Sequence, residues 1–347
     1  MKTKIRYLGY SSDLSHPADR RRIVTLTKDN NYELVDSTAS NYDVIILTLN
    51  AQLDKFFTHN ETKPILIELV DGYLADQGRL VKGIVRNILH NSFSFSSLRD
   101  ITYTRYLQRM LHKANGVIVS SEEIKSQVKR FNKNTFVILD NHSELKPIEY
   151  ELKSTGILWE GFGSNLKHLL KISSELDEFL HSNEINLHLV TQKSFRKYAN
   201  RFLNVNTFDL IEDCFPKSAN RVFIHDWTIE NLRKAAEECR IAIIPISQDD
   251  PFALSKCENK LLSMWTLGLP TITSFTPSYS RVMTLSGQPQ SIVNEMDWGV
   301  RLRTLWENQE LLVDMRSRGQ RYVGQTHVEH ILLDKWREVI EFSIKTR

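Results

Sequence analysis

The chain has 347 residues, with 45 Lys and Arg against 42 Asp and Glu, and a formal net charge of +3. At about 100–200 residues per domain, this length suggests two domains with sizeable cores. Hydrophobic residues at 41% and charged residues at 25% are typical of globular proteins, and they exclude disordered and fibrous classes. The near-neutral balance excludes a dedicated nucleic-acid binder, which carries a concentrated basic excess.

Cysteine usage and the apolar runs indicate the compartment. The three cysteines show no metal-binding spacing, which suits a reducing environment rather than a disulfide scaffold. The first strand follows the N-terminus without the apolar segment of a signal peptide, and no run approaches the roughly 20 apolar residues of a membrane span. We therefore expect a cytoplasmic protein.

Short apolar runs alternate with amphipathic stretches in the first half of the chain, which predicts a parallel α/β fold. Continuous apolar runs such as 44–47 indicate strands covered by helices on both faces. The predicted strands are 5–9, 42–48, 64–70, 116–120 and 135–139. The predicted helices are about 17–28, 77–90, 99–114 and 121–131.

The pattern lapses at about 140–154, which predicts a linker, and then restarts. The second series of predicted strands is 156–159, 187–191, 222–225, 241–246, 270–274 and 291–294, with helices such as 165–180 and 230–238. The predicted organisation is a domain at 1–145, a domain at 155–326, and a helical segment at 327–347 that can pack back on the first domain. Two doubly wound, Rossmann-like domains facing each other would place ligands in a cleft at the carboxyl ends of their strands.

The most informative segment follows the strand that ends at Ile246. A polar loop leads to a helix that we expect to begin near Ser255 and to end at Gly268. A helix N-terminus offers free N–H groups and the positive end of the dipole, which suits a phosphate. Ser255 and Glu258 also have the spacing of a capping box, which needs no ligand.

This segment resembles the donor-binding motif of GT-B nucleotide-sugar glycosyltransferases, in particular the large retaining, family-four-like group that builds bacterial surface polysaccharides. The positions in register with that motif are Lys256, Asn259, Lys260, Gly268 and Pro270. The group usually carries two glutamates eight positions apart, for the donor sugar and the ribose hydroxyls. Ser255 and Ser263 stand at those positions here, and a serine hydroxyl forms weaker hydrogen bonds than a carboxylate. The resemblance implies donor binding by Ser255, Lys256, Glu258, Asn259, Lys260 and Ser263.

Two other places extend the resemblance. Gly161 and Lys167 match the glycine and lysine of the family's diphosphate-binding turn, whereas Phe162 replaces its arginine. The alternative is an ordinary glycine-bearing turn between a strand and a helix. Trp227 follows a strand where the family contacts the nucleotide base, and it either stacks on a base or caps the core.

The candidates for catalytic residues lie in the first domain. Asp13 and His16 follow its first strand, and a carboxylate or imidazole there can accept the proton of an acceptor hydroxyl. His16 alternatively marks the start of a helix. Asp71 follows another predicted strand and is a base, a hydroxyl ligand or a helix cap, while His142 and Glu144 in the linker are further candidates.

A basic and aromatic stripe could rest on anionic lipid, or it could be a solvated helix face with buried aromatic side chains. Its residues are Arg86, Phe93, Phe95, Arg99, Tyr103, Arg105, Tyr106, Arg109 and Lys113.

The expected function is therefore that of an enzyme, a glycosyltransferase. It would move a sugar from a nucleotide-sugar donor to a saccharide or lipid-linked saccharide in bacterial surface-polysaccharide or glycoconjugate synthesis. No Asp-x-Asp motif flanks a suitable strand, so we expect no metal, and we expect no cofactor. The expected location is cytoplasmic, with peripheral contact to the inner membrane, and no nucleic-acid partner. The alternatives are a GT-B transferase of polyol phosphate and a catalytically silent GT-B partner protein.

Overall fold

The computed structural model of the chain describes residues 2–57, 62–75, 102–196, 204–294 and 297–346. Two compact units divide the chain. The first comprises Met1–Asn141, Pro251–Cys257 and His327–Arg347, and the second comprises His142–Asp250 and Glu258–Thr326. The predicted helix at 77–90 and the stripe residues Arg86, Phe93, Phe95 and Arg99 lie outside the described residues.

The first unit is built on a six-stranded sheet in which every neighbouring pair of strands is parallel, in the order β2-β1-β3-β4-β5-β6. Its strands are β1 Thr3–Leu8, β2 Tyr32–Val35, β3 Val44–Leu47, β4 Ile65–Leu69, β5 Gly116–Val119 and β6 Thr135–Val137. Every residue of β3 and β4 is buried, as expected for a sheet covered on both faces. The short edge strand β2 was not predicted.

The second unit repeats this plan, with six parallel strands in the order β11-β8-β7-β12-β13-β14. A separate antiparallel pair, β9 with β10, accompanies this sheet. The strands are β7 Gly156–Glu160, β8 Asn186–Thr191, β9 Ser194–Arg196, β10 Asn204–Asn206, β11 Val222–Asp226, β12 Cys239–Ile244, β13 Thr271–Ser274 and β14 Ile292–Val293. The predicted doubly wound α/β class is therefore confirmed for both units.

Helices connect these strands in both units. The first helices along the chain are α1 Pro17–Arg20, α2 Ile23–Leu26, α3 Tyr103–Lys113 and α4 Glu122–Val128. Those that follow are α5 Leu166–Leu170, α6 Ser173–Ser182, α7 Thr207–Cys214, α8 Ile229–Glu237, α9 Pro251–Leu254, α10 Asn259–Leu267, α11 Pro277–Leu285, α12 Trp298–Glu307, α13 Gln309–Thr326 and α14 Glu329–Lys345. The part of the chain that is described contains no helix long and apolar enough to cross a membrane.

The predicted helix at 17–28 is wrong, because two short helices, α1 and α2, occupy this segment. Arg22 interrupts the helical path with a backbone at φ −120° and ψ −88°. Its side chain is fully buried and pairs with Glu68 of β4. The helix is therefore interrupted at the residue whose side chain is buried against Glu68.

Each unit has its own apolar core. On one face of the first sheet, Trp336, Val339 and Ile340 of α14 pack in a cluster with Ile5 and Ile46. The core of the second unit joins its sheet to α6 and α12, and its large members include Phe179 and Trp298. Helices on both faces leave the strand ends for the polar loops.

Candidate functional site

The carboxyl end of β7 in the second unit gathers several polar groups. Lys260, in the first turn of α10, donates a hydrogen bond from Nζ to the Glu160 carbonyl at 2.9 Å, and Nζ lies 5.5 Å from the ring centre of Trp159. A Cβ atom at Gly161 would lie 2.6 Å from this Nζ. Trp227 donates from Nε1 to the Glu160 carboxylate at 2.7 Å. Three predicted site residues, Gly161, Trp227 and Lys260, thus meet around Glu160, which the sequence reasoning missed.

The helix that carries Lys260 begins later than predicted. Its first residue is Asn259, and the N-cap residue Glu258 makes no side-chain capping bond. The Glu258 carboxylate instead accepts a hydrogen bond from Arg281 at 2.9 Å. The predicted start near Ser255 and the capping box of Ser255 with Glu258 are therefore wrong. The cause is local, because residues 251–254 form the short helix α9 and end the regular path before Ser255. The prediction that Gly268 ends this helix is confirmed, since its backbone is left-handed, with φ 88°.

Ser255 and Lys256 belong to the first unit. Ser255 is buried, and its hydroxyl donates to the Phe252 carbonyl at 2.8 Å. It packs so closely on Gly72 that a Cβ there would lie 1.8 Å from the Ser255 Oγ. Lys256 lies above the Phe252 ring, 5.4 Å from its centre. The Ser255 hydroxyl is therefore engaged within the protein, and donor binding by Lys256 stays a prediction.

Ser263, at the position of the family's second glutamate, is only 4% exposed. Its hydroxyl donates to the Asn259 carbonyl at 3.0 Å and lies 3.2 Å from Nδ1 of His142. A hydroxyl can donate one hydrogen bond and accept another, so both contacts are compatible. The Asn259 side-chain oxygen is buried and has no hydrogen-bond partner among the described residues. A buried acceptor of this kind leaves capacity for a ligand donor.

Lys167 of α5 and Lys171, which follows this helix, pair with the loop after β12. Lys167 pairs with Asp250, and Lys171 pairs with Asp249. A small cavity of about 100 Å³ lies beside them, and its lining includes His168, Lys171, Ser247 and Ser274. Lys167 is thus held by a carboxylate in the position where the family resemblance implies a diphosphate contact.

The candidates of the first unit differ in their chemistry. Asp13 accepts hydrogen bonds from the hydroxyl of Ser15 at 2.8 Å and from its amide at 3.1 Å. These bonds, with a further one from Ser11, lower the pKa of Asp13 to about 2 and make it a weak base. His16 caps α1, accepting from the Ala18 amide through Nδ1 at 3.2 Å. His16 therefore marks the start of a helix, as the alternative interpretation of this residue predicted.

The other predicted catalytic candidates are Asp71, at the end of a strand, and His142 and Glu144, in the predicted linker. Asp71 directly follows β4, at the carboxyl edge of the first sheet. His142 is 2% exposed and lies beside Ser263 in the second unit. Glu144 lines a separate groove of about 640 Å³ in the second unit, together with Arg233 and Lys234. The geometry thus brings His142 next to another candidate residue, Ser263.

The sequence reasoning also missed a buried charged cluster beneath the loop after β1. Asp19, Arg22 and Glu68 are all fully buried, and Tyr7 lies between them. The signal in the sequence was a lone carboxylate, Glu68, within the apolar run of β4.

The aromatic members of the stripe on α3 face the core. Tyr103 and Tyr106 are buried, and the Tyr106 hydroxyl donates to Asp54 at 3.1 Å. Arg109 packs over the Tyr106 ring, 5.9 Å from its centre. The exposed side chains of the described part of the stripe are therefore the basic ones.

Among the residues that the structure describes, no group of three or more His, Cys, Asp or Glu side chains could hold a metal ion.

Comparison with solved structures identifies the fold as GT-B, as the sequence resemblance implied. No protein-family model matches the chain, and no curated protein sequence matches it. HepE from Anabaena, solved in complex with UDP and glucose, superposes with a TM-score of 0.61 at 12% identity, over 98% of this chain and 100% of HepE.

Two longer proteins share the same fold. TarM matches with a TM-score of 0.60 at 14% identity, over 86% of this chain and 54% of TarM. The pneumococcal O-GlcNAc transferase GtfA, in complex with UDP and GlcNAc, matches with a TM-score of 0.55 at 11% identity, over 87% of this chain and 57% of GtfA. The chain thus spans about half the length of TarM and GtfA and the whole length of HepE.

Proposed function

We propose that the protein is a glycosyltransferase that moves a sugar from a nucleotide-sugar donor to a saccharide or lipid-linked saccharide in glycoconjugate synthesis. The observation that carries the proposal is the Lys260 ammonium against Gly161 at the end of β7. This contact occurs in a fold that the chain shares with HepE. A second HepE structure, in complex with UDP-glucose, matches this chain at 13% identity. The second unit binds the donor, and the first unit supplies the residues for the acceptor.

The donor diphosphate binds where Lys260 and Lys167 supply positive charge. Gly161 has no side chain, so the Lys260 ammonium lies close to the backbone there and can meet a phosphate at the end of β7. The first-turn amides of α10 add donors and the positive end of the helix dipole. The ion pair of Glu258 with Arg281 reduces the negative charge at this helix end. As the bond to the sugar breaks, these fixed charges stabilise the departing phosphate.

The nucleoside lies towards Trp227 and Ser263. The hydrogen bond from Trp227 to Glu160 fixes the indole, which then offers a face for a base. Ser263 and the buried Asn259 oxygen offer neutral hydrogen-bonding groups where the related group offers carboxylates. We therefore expect a ribose contact weaker than a charge-assisted one.

The acceptor hydroxyl is activated from the first unit. Asp13, with its low pKa, serves as a hydroxyl ligand rather than a base, which leaves Asp71 and His16 as the candidate bases. Transfer proceeds without a metal or a cofactor, since lysines and amides carry the electrostatic role. For a lipid-linked acceptor, the basic face of α3 with Arg105 and Lys113 meets anionic lipid.

The donor site is tested by calorimetric titration of UDP and UDP-glucose against the wild type and Lys260→Ala. Losing a charge-assisted contact of about 1.5–3 kcal/mol should weaken UDP binding by about 10-fold to 100-fold. Lys234→Ala is the matched control, because Lys234 is an exposed lysine of α8 that pairs with Glu230 four residues earlier.

The outcomes separate the alternatives. UDP binding that is lost in Lys260→Ala and retained in Lys234→Ala supports the donor site, and sugar transfer to an acceptor panel then supports the enzyme. Binding of a cytidine diphosphate polyol instead of UDP would favour the polyol-phosphate transferase. Equal UDP affinity in the wild type and Lys260→Ala would contradict the proposed donor site.

A further inference from the structure

The buried cluster beneath the loop after β1 contains more hydrogen-bond acceptors than its donors can satisfy. The Tyr7 hydroxyl lies 2.8 Å from Oδ1 of Asp19 and 2.8 Å from Oε2 of Glu68. A tyrosine hydroxyl carries one hydrogen and can donate to only one of these oxygens. With both carboxylates ionised, the other contact would bring two acceptors together in a site closed to water. One of the two carboxyl groups must therefore carry a proton.

The contacts of Asp19 favour its ionised form. Oδ1 accepts from the Tyr10 amide at 2.9 Å, and Oδ2 accepts from the Ser11 amide at 2.9 Å. Each carboxylate oxygen thus faces a backbone N–H, which can only donate. Several donors on one carboxylate stabilise its charge.

The contacts of Glu68 leave room for the proton. Oε1 accepts from Nε of Arg22 at 2.6 Å, whereas Tyr7 is the one hydrogen-bond partner of Oε2 within the described ranges. Nη1 of Arg22 also lies 3.3 Å from Oδ1 of Asp140, so a second carboxylate shares the guanidinium charge. Burial raises the pKa of Glu68 in spite of Arg22, and the charge of Asp19 raises it further.

We infer that Glu68 is a neutral acid at neutral pH and donates its proton to Tyr7, which donates in turn to an ionised Asp19. This chain of hydrogen bonds anchors the amides of Tyr10 and Ser11 and so fixes the loop that carries Asp13 and His16. Asp19 is then a positioning residue for the acceptor loop, a role that rests on the proposed function. The protonation of Glu68 does not rest on it.

Two isosteric substitutions distinguish the protonation states. In Glu68→Gln, the amide nitrogen donates to Tyr7 as the protonated acid does, and the amide oxygen accepts from Arg22. In Asp19→Asn, the NH₂ group faces a backbone N–H in either orientation. Glu68→Gln should change the midpoint of thermal unfolding by less than about 2 °C, and Asp19→Asn should lower it by about 4 °C or more.

A second measurement does not depend on stability. In protein labelled with ¹³C at the glutamate carboxyl carbon, the signal missing from Glu68→Gln should have the shift of a protonated acid at pH 7. An ionised shift for that signal, or an Asp19→Asn variant as stable as Glu68→Gln, would overturn the inference. Neither result bears on donor binding. If transfer is observed, Asp19→Asn should raise KM for the acceptor and leave the UDP affinity unchanged, and Glu68→Gln should behave as wild type.

Discussion

At the carboxyl edge of the first sheet, Asp19, Arg22 and Glu68 are fully buried; Arg22 binds Glu68, and Tyr7 links Glu68 to Asp19. At the same edge of the second sheet, Lys167 is 61% exposed and Lys260 is partly exposed. Buried polar and charged groups must satisfy each other, so the first set can hold a loop in place but is closed to a ligand. Water reaches Lys167 and Lys260, so their charges cost little desolvation free energy. In the proposed site, a phosphate replaces their partners in this structure, Asp250 and the Glu160 carbonyl. Under the proposed function, the same edge of the sheet supports a loop in one unit and binds the donor in the other.

The largest expected effect comes from breaking the buried set. Arg22→Met removes the guanidinium and leaves Asp140, Glu68 and the Ile138 carbonyl without their donor. Loss of one partner of a buried ion pair costs about 3–5 kcal/mol, which denaturant unfolding will measure. Arg130→Met, an exposed arginine of the same unit, should change the free energy of unfolding by about 0.5 kcal/mol or less. A loss of similar size in both variants would mean that the cluster adds no specific stability.

A buried imidazole in the second unit gives a smaller, pH-dependent effect. Burial, with the nearby His225, lowers the pKa of His188 from 6.5 to about 4. The unfolded chain therefore binds this proton before the folded protein does. Stability is fully present above pH 6.5 and falls as the pH drops towards 4, by at most about 3 kcal/mol.

This prediction is checked by denaturant unfolding between pH 7 and pH 4. His188→Gln should flatten the decline, whereas the exposed His330→Gln should follow the wild-type curve. A decline in His188→Gln as steep as that of the wild type would assign the pH dependence to other groups.

The smallest expected effect touches binding rather than stability. In Gly161→Ala, the new Cβ would displace the flexible Lys260 ammonium, since it would lie 2.6 Å from Nζ. UDP affinity should fall by about 10-fold, as for the loss of about 1.4 kcal/mol, while the unfolding midpoint barely changes. Gly324→Ala in α13 is the matched control, because a Cβ there meets no atom within 4 Å. An unchanged UDP affinity in Gly161→Ala would separate Gly161 from the donor site.

Much of the fold could be read from the sequence because burial on both faces leaves a plain apolar pattern. The predicted strand 42–48 contains β3, which coincides with the apolar run 44–47, and Gly268 correctly indicated the end of α10. The split of the helix at 17–28 could not be read, because it depends on Glu68, which is 46 residues from Arg22. Local periodicity carries no information about such a partner.

The sequence predicted those parts of the candidate site where close approach requires a glycine or where binding requires a positive charge. Gly161 and Lys260 meet because a glycine is the residue that admits the ammonium. The start of α10 was misplaced because the capping-box spacing at Ser255 is also compatible with the short helix α9 before it. The pairing of Lys167 with Asp250 lay beyond sequence reasoning, since either charge could equally face water.

The contact between Gly72 and Ser255 has an evolutionary consequence. The Ser255 side chain fills the space that a side chain at position 72 would need, with its Cβ 2.4 Å from where a Cβ of residue 72 would lie. A longer acidic side chain at 255 would have to place its charge in a nearly closed space beside the Gly72 carbonyl. Introducing a glutamate at 255 therefore requires a change in the loop around Gly72. We expect positions 72 and 255 to tolerate larger side chains only when both are changed together.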